Sequence, residues 1–188
     1  QYSTSEREDI MAVTLFPLKP ENMFGLDFET YGAVDLTVHG LERYVSDPHF
    51  RVLRVGMATL GGATNIYDLD WVCNESTAIE RLEELLRKRY YIVAHNAGFE
   101  RRVLKKLGLD IAAKRFIDSA VCASALGAAR ALEAAAPQLL QGHKMEAGKN
   151  LIRLFSIPSK ERVQNGELEF DKELIEDNPR DWDLFGRY

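Results

Sequence analysis

Residues 23–31, MFGLDFETY, constrain the fold of this chain more than any other stretch. Apolar and polar side chains alternate with a period of two, which is the pattern of a β-strand with one face against a core. Phe24, Leu26 and Phe28 then point one way, and Asp27 and Glu29 point the other, about 7 Å apart. On a buried strand, two like charges side by side are costly. A sheet built around this strand must therefore partner the two acids or use them.

The rest of the sequence supplies elements to surround it. With 188 residues and 46% hydrophobic content, the chain is long enough for one well-buried domain and short for two. Residues 1–21 are polar, then mixed, and read as a lead-in to a domain over 22–188. Strands are expected at 22–30, 51–60 and 63–69, the last two joined by a hairpin at Gly61-Gly62. Residues 75–89 place Ile79, Leu82, Leu85 and Leu86 at helical spacing, with acids early and bases late as the helix dipole favours. A short buried strand at 90–94 follows, then a helix at 97–107 ended by Gly108, then a strand at 115–118 whose Asp118 is placed to cap the next helix. Gly127 and Pro137 divide 119–140 into two short helices, residues 142–178 are charged and irregular in pattern, and a final helix at 179–188 opens at Asn178-Pro179. This order predicts an α/β fold with a mixed sheet: an antiparallel meander, then strands added through right-handed helical crossovers.

Composition narrows the function. A net charge of −5 gives no global basic field, so a nucleic-acid partner would need a local basic patch or bound metal ions to offset its phosphates. Cys73 and Cys122 stand far apart and outside any CxxC spacing, which points to reduced thiols rather than a zinc site or a disulfide scaffold. No apolar run approaches the roughly 20 residues of a spanning helix, and residues 1–9 lack the order of a signal peptide. The expectation is a soluble cytoplasmic protein without a membrane partner.

Bound metal would reverse the penalty on Asp27 and Glu29, and oxygen-only ligation suits Mg²⁺ or Mn²⁺. Two carboxylates cannot complete an octahedral site, and AHNAGFERRVL at 94–104 offers a third. Asn96 is a natural N-cap after the strand, and Glu100 shares a helix face with Val103, Leu104 and Leu107. Two readings are open at this point. Glu100 either complements the helix dipole and reaches solvent, or joins Asp27 and Glu29 at a cation, and the strand pair alone fits structural partnering as well as metal binding.

Taken together, these residues carry a resemblance. LDFET at 26–30 resembles the first motif of the DEDD, or DnaQ-like, 3′-to-5′ exonucleases, and AHNAGFE at 94–100 resembles the second. The terminal GRY is similar to the start of the third, in which a Tyr is followed four residues later by Asp, the DEDDy pattern. The segment EAGKNLIRLFSIPSK resembles what lies between the second and third motifs in bacteriophage-type family-A DNA polymerases. The resemblance covers about residues 22–188. It implies an RNase H-like (exonuclease) fold with a mixed five-stranded sheet flanked by helices. It also implies two divalent ions, Mg²⁺ or Mn²⁺, about 4 Å apart, hydrolysing the terminal phosphodiester of a single-stranded DNA 3′ end.

Carried over by that resemblance, Asp27 bridges both ions, Glu29 binds the nucleophile-side ion, and Glu100 serves the second ion. The Tyr188 hydroxyl orients the attacking water. Thr30, Asn96 and Phe99 are implied substrate contacts, while Phe28 is expected in the core and His95 beside the site. Two departures stand out: Glu100 occupies a position that is Asp in most of the superfamily, and the third motif is cut off at Tyr188, before its aspartate. The chain is therefore expected to be part of a longer polymerase, with a polymerase domain C-terminal in cis, in the host cytoplasm if phage-encoded, and weakly active without the missing acid. A free-standing DEDD exoribonuclease and a catalytically silent nucleic-acid-binding module of the same fold are the alternatives.

Overall fold

β1 (Met23–Tyr31) forms the centre of a five-stranded sheet. In this computed structural model the described residues are 18–59, 62, 64–69, 75–89, 91–140 and 148–187. β2 (Arg51–Thr59) pairs antiparallel with β1, and β3 (Thr64–Asp68) pairs antiparallel with β2. On the other side, β4 (Tyr91–Ala94) and β5 (Phe116–Asp118) are added in parallel, giving the order β3-β2-β1-β4-β5. The parallel strands need crossovers, which α2 (Glu75–Lys88) and α3 (Gly98–Lys106) supply. The expected α/β architecture, meander first and crossovers second, is what forms, and it is consistent with an RNase H-like fold.

Alternation along β1 decides which face is core. Phe24, Leu26 and Phe28 are buried with Val55, Met57 and Ile92, under Leu82 and Leu85 of α2 and Val103 and Leu104 of α3. Each such side chain contributes about 1.5–3 kcal/mol of transfer free energy. On the opposite face Asp27 is exposed, which relieves the cost of setting two like charges side by side. The two acids of β1 meet an open cleft rather than a core.

An unexpected helix, α1 (Leu36–Ser46), lies between β1 and β2. Asp35 caps it, accepting the Thr37 and Val38 backbone N–H groups at 2.8 and 3.2 Å. Gly40, at φ 78°, interrupts its hydrogen bonding and hides the periodicity of Tyr44 and Val45, which pack into the core. Helix α4 (Ser119–Ala125) and helix α5 (Leu132–Leu139) are the two short helices expected around Gly127, whose φ is 77°.

The described part of the stretch expected to be irregular, from residue 148 on, carries three short helices: α6 (Gly148–Phe155), α7 (Lys160–Gln164) and α8 (Glu173–Asp177) precede α9 (Pro179–Arg187). Its charge obscured short apolar spacings. Leu151 and Phe155 of α6 meet Trp182 and Phe185 of α9 in a second cluster, with Tyr31 and Leu53. The Tyr31 hydroxyl donates to the Leu168 carbonyl at 2.8 Å, and Arg162 binds Asp171 and the Glu169 carbonyl, so the intervening turns are pinned to the domain. Among the described residues no helix is long and apolar enough to cross a membrane. The expected turn at Gly61 and the residues Asp70, Trp71, Cys73, His143, Lys144 and Tyr188 lie outside the described residues.

Candidate active site

The cross-strand register builds the floor of the site. Asp27 lies opposite Gly56, and Glu29 lies opposite Arg54, before the register shifts between Glu29 and Thr30. A Cβ at Gly56 would find its nearest neighbours at 3.9 and 4.0 Å, so packing does not require glycine there. Its effect is to leave the flank of Asp27 clear, at the entropic cost that glycine carries in a strand. Arg54, buried to 8% exposure, is bound to Asp68 and to the Trp182 carbonyl and lies 4.4 Å from the Trp182 ring centroid. It anchors α9 on the acid-bearing face of the sheet.

The second wall comes from the turn between β4 and α3. Asn96 has φ 65°, a left-handed conformation that asparagine tolerates, and its backbone N–H donates to Asp118 at 3.0 Å. The Ala97 N–H donates to the same carboxylate at 3.1 Å, as does the Ala120 N–H of α4 at 2.9 Å. Asp118 therefore caps α4 as expected and also holds the turn. Asn96 does not cap α3: Ala97 occupies that position, without a side-chain bond. The left-handed turn moves the helix start one residue on and places Phe99 and Glu100 on the cleft.

A cleft of about 720 Å³ is lined by Asp27, Glu29, Asn96, Phe99, Glu100 and Arg130, with Phe28, His95, Leu132, Glu133 and Ile152 among its other walls. Asp27, Glu29 and Glu100, the three acids singled out from the sequence, thus share one cleft with Asn96 and Phe99. Glu100 is 2% exposed, and its Oε2 atom has no hydrogen-bond partner among the described residues. Burial, reinforced by the charges of Asp27 and Asp118, pushes its carboxyl up to about 8. The dipole-complementing, solvent-reaching reading of Glu100 does not fit that burial. Among the described residues, no three His, Cys, Asp or Glu side chains form a cluster ready to hold a metal ion.

Thr30 does not reach the cleft. It is 6% exposed, and its hydroxyl is within 2.9 Å of the Tyr44 hydroxyl, because strand alternation places it on the core side with Phe24, Leu26 and Phe28. Phe28 packs in the core, as expected, with its edge at the cleft. His95 hydrogen-bonds beside the site, to Ser119 and to the Arg130 carbonyl. Arg130 itself was not singled out by sequence, because a lone arginine after an Ala-rich helix carries no periodic signal. Its side chain has no hydrogen-bond or ion-pair partner among the described residues. The basic run on α3 is partly spent internally, Arg102 binding Glu42 and Arg101 lying 5.7 Å from the Phe116 ring centroid.

No protein-family model matches the chain. Over 165 residues, 87% of its length, the sequence is 33% identical to the DNA polymerase of Bacillus phage SP02. The match spans about a quarter of that relative, 25% of its length, so the chain is related to one segment of a DNA polymerase. Among solved structures, the family B DNA polymerase of the hyperthermophilic archaeon Pyrobaculum calidifontis overlaps 46% of this chain and 11% of its own, at 16% identity and a TM-score of 0.30. That likeness is too slight to add to the fold assignment.

Proposed function

We propose that this polymerase-related segment is a DEDDy-type 3′-to-5′ exonuclease domain that removes 3′-terminal nucleotides from single-stranded DNA as the proofreading part of a longer polymerase chain. One observation carries the reading: the buried Glu100 carboxyl, with an oxygen lacking any donor among the described residues, borders the same cleft as Asp27 and Glu29. A structural acid in a core would be given a hydrogen bond. An all-oxygen donor set with such an orphan atom fits hard divalent cations, and Asp27, Glu29 and Glu100 would hold two of them, Mg²⁺ or Mn²⁺. When bound, such ions generate hydroxide from water and stabilise the leaving 3′ oxygen.

The chain's own residues do the rest. Phe99 and Leu132 offer apolar surface to the terminal nucleoside, and Asn96 presents its side chain at the rim. Arg130 meets a phosphate with a charge that no described residue neutralises. Tyr188 is assigned the orientation of the attacking water, on the resemblance of GRY to the third motif. Water adds to phosphorus, the bond to the 3′ oxygen breaks, and a nucleoside 5′-monophosphate leaves.

The test is hydrolysis of a 5′-labelled single-stranded oligonucleotide by the full-length protein with Mn²⁺. Stepwise shortening from the 3′ end is expected, with Asp27→Ala and Glu29→Ala each reducing it to background. Activity surviving both substitutions would overturn the assignment. A second reading, a silent nucleic-acid-binding module, is favoured by the lack of a ready three-acid cluster among the described residues. It requires binding of the same oligonucleotide with no Mn²⁺-supported shortening.

A further inference from the structure

The rim of the cleft that carries Arg130 is a loop, residues 127–131, between α4 and α5. Its local bonds run to those helices: the Gly127 and Ala128 N–H groups donate to the Ser124 and Ala123 carbonyls at 3.0 and 2.9 Å, the Ala129 N–H donates to Gln138 Oε1 at 3.0 Å, and the Ala131 carbonyl accepts from the first turn of α5. None of these joins it to the sheet. Among the described residues, that link is made by His95, just past β4, whose Nε2 lies 2.9 Å from the Arg130 carbonyl oxygen.

The chemistry of the partners settles which ring nitrogen carries hydrogen. A carbonyl oxygen only accepts, so Nε2 bears the proton and donates, and in the neutral ring Nδ1 accepts from the Ser119 hydroxyl, 3.0 Å away and nearer to it than its other acceptor, the Ala94 carbonyl at 3.4 Å. With both nitrogens engaged, His95 has no lone pair left for a water or a leaving group. Its bonds instead join three elements: the end of β4, the first residue of α4 and the loop before α5.

We propose that His95 is a positioning residue that latches the Arg130 loop to the β4–α3 turn and so sets the width of the cleft between Glu100 and Arg130. Its consequence for nucleotide binding rests on the exonuclease reading, whereas the latch itself does not. A latched rim keeps Arg130 and Leu132 where a terminal nucleotide meets them on arrival. An unlatched rim must be ordered on each binding event, which weakens binding without touching the reacting atoms.

Two variants of the full-length protein test this. His95→Ala removes the donor, and His95→Gln returns an N–H near the position of Nε2. The first readout is amide exchange at Ala128 and Ala129, with neither metal nor nucleic acid present. The second is KM and kcat for Mn²⁺-supported shortening of a single-stranded oligonucleotide. In His95→Ala, exchange should accelerate about tenfold, the worth of one hydrogen bond, with KM rising by about the same factor and kcat little changed. His95→Gln should recover both. Unchanged exchange in His95→Ala, a fall in kcat at constant KM, or a glutamine variant no better than alanine would each overturn the latch. If Asp27→Ala leaves hydrolysis intact, the exonuclease reading falls, and the exchange measurement still decides for or against His95.

Discussion

Asp118 accepts the Asn96 backbone N–H at 3.0 Å, with Asn96 in the left-handed conformation at φ 65°. One carboxylate at the end of β5 thereby holds the turn after the neighbouring strand, and that turn aims the first residues of α3 at the cleft. The position of Glu100 is thus decided by a residue eighteen positions further along the chain.

Asp118→Ala leaves the N–H groups of Asn96, Ala97 and Ala120 without their acceptor. A lost cap costs about 1 kcal/mol, and lost bonds to a charged acceptor cost more, so a destabilisation of roughly 3 kcal/mol is expected in urea unfolding. Asp118→Asn, which keeps one acceptor oxygen, should lose less. Fluorescence-monitored melts of the two variants provide the comparison.

Glu100 makes stability depend on pH in a defined direction. Burial raises its carboxyl from 4.5 to about 8, so the folded chain binds this proton more tightly than the unfolded chain does. The contribution is fully present below about pH 4.5 and is lost as pH rises through about 8. Glu100→Gln, neutral at every pH, should be more stable than the parent at pH 7 by on the order of 2–3 kcal/mol and should flatten the profile between those limits. Denaturant unfolding in EDTA across pH 4.5–8.5 measures this, and a parallel pair of profiles would contradict it.

Arg54 and Gly186 act as a unit. A Cβ at Gly186 would strike the Arg54 guanidinium and crowd Ile66, and that guanidinium is held by Asp68 and Trp182. Arg54→Met should cost roughly 2–4 kcal/mol, chiefly by leaving Asp68 and the Trp182 carbonyl unpaired. Gly186→Ala should cost about 1–3 kcal/mol, because its overpacking falls on a pinned side chain. The double variant should be less destabilised than the sum, which a double-mutant cycle detects. Amide protection should fall in α9 before it falls in β1.

Gly56 separates fold from function. Its site has room for a side chain, so Gly56→Val should leave stability unchanged or raise it by about 0.5–1 kcal/mol. The added methyl groups would stand opposite Asp27 on the acid-bearing face. Mn²⁺-supported shortening of single-stranded DNA is expected to drop sharply in a variant that melts no earlier than the parent. Full activity in Gly56→Val would mean that the clear flank of Asp27 serves no purpose in the reaction.

Local patterning by itself determined much of this protein. The alternation of Phe24, Leu26 and Phe28 with Asp27 and Glu29 set a strand and its two faces. The spacing of Leu82 with Leu85 and of Val103 and Leu104 with Leu107 set the crossover helices, and Gly127 divided the helices after β5. These features are legible because periods of 2 and 3.6 are written in neighbouring residues. Glu100 stood out for the same reason, as an acid on an apolar helix face. Only the tertiary structure decided that Asp27 is open to solvent, that the Thr30 hydroxyl is taken up by Tyr44, and that residues 148–177 fold as short helices over Tyr31 and Leu53. It alone decided that Asp118 rather than Asn96 secures the α3 turn, and that His95 fastens Arg130. Each of these depends on packing or on a bond between residues more than a dozen positions apart, and no periodicity in a single sequence encodes such a distance.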